Sequence, residues 1–95
     1  MESNLVKDSE KYANENGFGL KLGRWDFVYT EDKKRLTLPV EMLGQGEFLW
    51  ELSRSSIKAW DAPLDRERID DETATRIIER IVRFVELTGK RVRVD

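Results

Sequence analysis

Six carboxylates, Asp61, Asp65, Glu67, Asp70, Asp71 and Glu72, fall within one short stretch interrupted by only two basic residues, Arg66 and Arg68. Six acids against two arginines leave this stretch at −4 in a chain of net charge −2. Hard cations such as calcium seek several carboxylate oxygens, but a calcium loop also needs ligands at alternate positions, a central glycine and a closing Glu. Here Arg66 and Arg68 occupy the run and no glycine does, so no metal site is expected. Two readings remain: a solvated loop that caps the following helix, or an acidic patch that speeds docking to a basic protein partner.

Catalytic chemistry is poorly supplied. The chain has no His and no Cys, so the usual general base near neutral pH, the thiolate nucleophile and the common transition-metal ligands are all missing. Gly17-Phe18-Gly19 and Gly44-Gln45-Gly46 lack the further glycine or the Lys-Ser/Thr that lets such loops cradle phosphate, and they read as turns. The expectation is a protein that binds rather than an enzyme, with no cofactor.

A second constellation offers an alternative surface. Trp25 and Tyr29, together with Lys33, Lys34 and Arg35, bring together the rings and cations on which a nucleic-acid module stacks bases and holds phosphates. In so small a chain the same rings can instead be core. The stretch Arg76–Asp95 carries six basic against three acidic residues, but Glu72–Arg76 and Glu79–Arg83 stand four apart, the spacing of ion pairs on an exposed helix face.

The elements that must position these residues follow from periodicity. Phe18–Tyr29 reads as one extended strand with Trp25, Phe27 and Tyr29 on one face, and Glu31–Lys34 as a charged hairpin tip. Leu36, Leu38 and Val40 alternate with polar neighbours, and Pro39 argues for a sheet edge or a strand end. Phe48, Trp50 and Leu52 mark a third strand, Ile57–Trp60 a short fourth, and Arg91–Val94 a last one. Between them Ala74, Ile77, Ile78, Ile81, Val82, Phe84 and Val85 make a broad helical stripe over 71–88, with Asp70 or Asp71 as N-cap and Gly89 as left-handed C-terminal cap. The expected fold is α+β: a mainly antiparallel sheet of four or five strands with one long helix packed on one face.

With 95 residues the chain is long enough for one core, so residues 18–95 are expected to form a single domain. Residues 1–17, rich in Asn, Glu, Lys and Ser, read as a mobile polar tail, with a short helix over Leu5–Tyr12 as the alternative. No signal-peptide core and no run of roughly 20 apolar residues is present, so a cytoplasmic protein without a membrane span is expected.

Arg35-Leu36-Thr37-Leu38-Pro39-Val40-Glu41, a glycine turn, Ser56-Ile57-Lys58-Ala59-Trp60 followed by Pro63, Ile69, the Ile-rich helix over Ile78–Phe84, and Gly89-Lys90-Arg91-Val92-Arg93-Val94 stand together in one order. This pattern resembles the immunity protein 74 family of bacterial polymorphic toxin systems, over about residues 20–95. The resemblance implies a protein that binds and neutralises a cognate toxin domain by steric occlusion, with no turnover and no cofactor. It carries over no toxin-contacting residue, so the acidic run 61–72 is a candidate surface on charge alone. A homodimer covering an open sheet face is a further alternative.

Overall fold

A computed structural model describes residues 4–44 and 46–95. The order of elements is α1 (Asn4–Glu15), β1 (Phe18–Leu22), β2 (Asp26–Glu31), β3 (Lys34–Met42), β4 (Trp50–Leu52), α2 (Asp71–Leu87) and β5 (Val92–Val94). The five strands form one curled sheet in sequence order, antiparallel except that β5 runs parallel to β4. The expected α+β class, the mainly antiparallel sheet and the long helix are all present.

Alternation explains the layering. Phe27, Tyr29, Leu36, Leu38, Val40, Trp50, Leu52 and Val92 send their side chains to one face, where they meet Ala74, Ile77, Ile81, Phe84 and Val85 of α2. The residues that alternate with them along the strands, Lys21, Thr30, Arg35, Thr37, Pro39, Glu41 and Arg93, stay exposed on the other face, with Val28 half-buried among them. The covered face therefore holds the rings, and the uncovered face carries no aromatic row.

Helix α2 begins and ends where its residues allow. Asp70 accepts from the Thr73 N–H at 2.8 Å as N-cap. Gly89, at φ 87°, lets Lys90 N–H reach Val85 C=O at 3.3 Å and Gly89 N–H reach Glu86 C=O at 3.0 Å, the paired bonds of a Schellman ending.

Three expectations change. The strand expected over Phe18–Tyr29 is two strands, because the chain turns at 23–25. Gly23 N–H bonds Asp26 C=O at 2.9 Å, and a Cβ at Gly23 would stand 2.6 Å from that oxygen, so only glycine fits. Ile57–Trp60 is not a strand: a 3-10 turn over Arg54–Ser56 precedes it, and only the bridge Ala59–Arg68 is sheet-like. Ile57 and Trp60 are both buried, and a spacing of three would put them on opposite faces of a strand. Pro39 lies in an interior strand. Odd residues of β3 face away from β2, as the Thr37 N–H to Asp61 shows, and pairing with β4 begins only at Val40, so the missing N–H of Pro39 breaks no ladder.

The segment 1–17, expected as a mobile tail, contains α1 in its described part. Ser9 and Ala13 are buried, Tyr12 meets Phe18 edge-on with centroids 5.6 Å apart, and Phe18 in turn packs on Phe84 of α2. The side chain of Leu5 and the residue Gln45 lie outside the described residues.

Candidate protein-binding surface

The acidic run is a laced loop. Trp60 N–H bonds Glu67 C=O and Ile69 N–H bonds Lys58 C=O, so the loop closes on itself between the buried Trp60 and the start of α2. Within it, Leu64 N–H bonds Asp61 C=O and Glu67 N–H bonds Leu64 C=O, giving successive tight turns.

Three of its six acids hold the loop in place. Asp61 N–H bonds Arg35 C=O, while the Asp61 carboxylate accepts from Thr37 N–H at 3.1 Å and from the Thr37 hydroxyl at 2.6 Å, with Arg35 Nε 3.4 Å away. Asp61 thereby stands in for a strand along the part of β3 that β4 does not reach. Glu67 pairs with Lys34, whose ammonium also sits 5.4 Å from the Trp60 ring centre. Asp70 caps α2, and hydrogen bonds from Thr73 hold its carboxyl below the usual aspartate value.

The other three point outward. The Asp71 side chain is fully exposed, with Arg54 Nη2 3.6 Å from its carboxylate, and Arg54 spends its better hydrogen bonds on Asp71 C=O and the Thr75 hydroxyl. Asp65 and Glu72 are exposed and form no ion pair among the described residues. Setting Lys34, Arg35 and Arg54 against the loop's surplus of four acids leaves one negative charge in excess.

The alternative surface does not assemble as a stacking platform. Tyr29 is wholly buried and stacks against Phe18 at 5.5 Å, so it offers no face to a base. Lys34 and Arg35 are tied to the acidic loop, which brings parts of the two candidate surfaces into one ion-paired seam. Lys33 is exposed in the hairpin turn at φ 65°, and Trp25 is 72% exposed in the turn between β1 and β2.

A cluster that sequence reading missed joins β2 to α2. The Tyr29 hydroxyl donates to Glu31 Oε1 at 2.6 Å, Arg76 donates to both Glu31 oxygens at 3.1 and 2.8 Å, and Arg80 reaches the Tyr29 hydroxyl at 2.9 Å and Glu31 at 3.3 Å. Burial, and then the neighbouring Glu31 carboxylate, pushes the Tyr29 hydroxyl up to about 12. Burial alone would raise the Glu31 carboxyl, but the Tyr29 hydroxyl and the two guanidiniums hold it below its ordinary value. The four-residue spacing of Glu72 and Arg76 suggested a pair along the helix; only the hairpin's approach reveals Glu31 as the partner of both Arg76 and Arg80. Arg83 likewise pairs with Glu86 rather than Glu79.

A cleft of about 580 Å³ lies between the 3-10 turn and the start of α2, lined by Ser53, Arg54, Lys58, Ile69, Asp71 and others. Among the described residues no group of three or more His, Cys, Asp or Glu could hold a metal ion, and no helix is long and apolar enough to cross a membrane.

Fold and surface together define a small α+β domain whose internal ion pairs hold a charged loop against the sheet and leave Asp65 and Glu72 unpaired among the described residues, with Asp71 loosely paired to Arg54, at its rim. The family model described as immunity protein 74 matches residues 20–95, and the chain belongs to that family. No curated protein matches the chain, and neither does any solved structure.

Proposed function

We propose that this protein neutralises a cognate toxin domain by binding over it and blocking it sterically, without turnover and without a cofactor. The observation that carries this reading is membership of the immunity protein 74 family over residues 20–95. The absence of His and Cys supports it, since a tight inhibitor needs shape and charge rather than a proton-transfer apparatus. The contact surface on this reading is the rim of the loop 61–72. Asp65, Asp71 and Glu72 face outward to meet basic side chains of the toxin, while Asp61, Glu67 and Asp70 fix the loop's shape before binding. A loop already held in its bound form loses little conformational entropy on association. Action in the bacterial cytoplasm, where a toxin made by the same or a neighbouring cell would be met, completes the proposal.

The test is co-expression with the C-terminal domain of a toxin-like protein encoded beside this one. Survival of cells that make both, and death of cells that make the toxin domain alone, is the expected result. Death in both cases, together with no binding between the purified proteins, overturns the proposal.

A further inference from the structure

We infer that the outer edge of β1 is a self-association surface, on which a second copy of this chain pairs antiparallel about a two-fold axis through Leu20 and joins two five-stranded sheets into one.

The inference starts from the backbone. β1 is an edge strand, bonded to β2 on one side only. The register pairs Gly19 with Thr30 and Lys21 with Val28, and the same ladder continues in the bond from Gly23 N–H to Asp26 C=O. Odd residues of β1 therefore turn their N–H and C=O groups toward β2, and Phe18, Leu20 and Leu22 turn theirs outward. Those outward groups have no hydrogen-bond partner among the described residues. A row of unpaired backbone groups is a template for another strand.

The side chains select the second copy and its register. With the axis at Leu20, Leu20 faces its own counterpart and Phe18 faces Leu22 of the second copy, so all three outward residues exchange bonds in both directions. Lys21, the one charged residue of the strand, then faces Gly19 of the second copy and meets no like charge. Moving the axis to Lys21 would set two ammonium groups directly opposite each other, an unfavourable cross-strand pair, and would leave one bonded pair fewer. Leu20 and Leu22 are only half-buried in the single chain. Beside them a cleft of about 210 Å³, lined by Ala13, Phe18, Leu20 and Phe84 among others, opens along the same edge, next to the position that Leu22 of the second copy would take. The opposite edge is less suited: β5 has three residues, and a two-fold axis at its centre would oppose Arg93 to Arg93.

The test needs no mutation. Light scattering after size exclusion is run over a range of concentrations, with amide hydrogen exchange followed at Leu20 and Leu22. The expected result is a mass twice the 11.2 kDa of the chain at high concentration. The Leu20 and Leu22 amides should then exchange roughly tenfold or more slowly than in dilute solution, as expected for hydrogen-bonded amides. Gly19 and Lys21, already bonded within the chain, should change little by comparison. A strict monomer at all concentrations overturns the inference. So does a dimer whose Leu20 and Leu22 amides exchange as they do in dilute solution, because it would be built on another face. Leu20→Lys, which sets two cations at the axis, should return the mass to that of one chain while circular dichroism keeps the helical signal.

Discussion

Glu31 shows how a single side chain ties the sheet to the helix. Its carboxylate receives the Tyr29 hydroxyl and the Arg76 and Arg80 guanidiniums, and it is held below the ordinary 4.5. Folding therefore favours the ionised form. The stabilisation is complete above pH 4.5 and is lost as pH falls through the lower value of the folded state. Tyr29 behaves oppositely, since its neutral hydroxyl is favoured: stability is complete below pH 10 and is lost as pH rises toward about 12. Glu31→Gln should lower stability at neutral pH by about 1.5–3 kcal/mol, the range for hydrogen bonds to a charged group, and flatten the acid limb. Tyr29→Phe should leave Glu31 with its arginines but remove the alkaline limb. Urea midpoints measured from acid to alkaline pH check both, and an unchanged acid limb in Glu31→Gln would count against the cluster's role.

At the scale of elements, α1 is the decisive case. Its sequence is polar enough to read as a tail, yet Ala13 is 4% exposed and Tyr12 reaches Phe18, which touches Phe84. Burial of Ala13 and part of Tyr12, at about 25 cal/mol per Å² of apolar area, amounts to about 2 kcal/mol. For a domain of this size that corresponds to a fall in Tm of about 10 °C when residues 1–16 are removed. Scanning calorimetry of the truncated chain decides between a packed helix and a tail, because loss of a tail would leave Tm where it was. The truncation also tests whether residues 18–95 form a domain by themselves.

The whole molecule is nearly neutral, so any electrostatic steering must come from local surplus. Reversing Asp65, Asp71 and Glu72 together to Lys should, on the proposed function, slow association with the proposed toxin partner by about tenfold or more at low salt, with the difference shrinking as salt screens it. Thermal stability should fall modestly, since Asp71 and Glu72 lie in the first turn of α2, where acids complement the helix dipole, and Asp71 stands 3.6 Å from Arg54. Stopped-flow binding across a salt series measures the effect, and equal association rates for both proteins would remove the loop rim from the interface. Reversal of Asp61 serves as the contrast. Its carboxylate fastens the loop to Thr37, so that variant should lose stability as well as binding.

Much of this molecule was decided by local order in the chain. The helix over Asp71–Leu87 with its Asp70 cap and Gly89 ending, the strands through Leu36–Val40 and Trp50–Leu52, and the α+β class follow from period, caps and turns, which act between near neighbours. The family pattern of Pro39, Trp60, Pro63 and Gly89 was legible for the same reason. Only the tertiary structure could decide which charges remain free. Lys34 and Glu67, Arg35 and Asp61, Glu31 and Arg76 are separated by 33, 26 and 45 positions and meet only because the sheet and helix bring their backbones together. It also decided that Gly23 would break one strand into two, that Tyr29 would be core and Trp25 exposed, and that a polar N-terminal segment would pack as a helix. Charge and ring count are properties of residues, whereas exposure and pairing are properties of the packed chain.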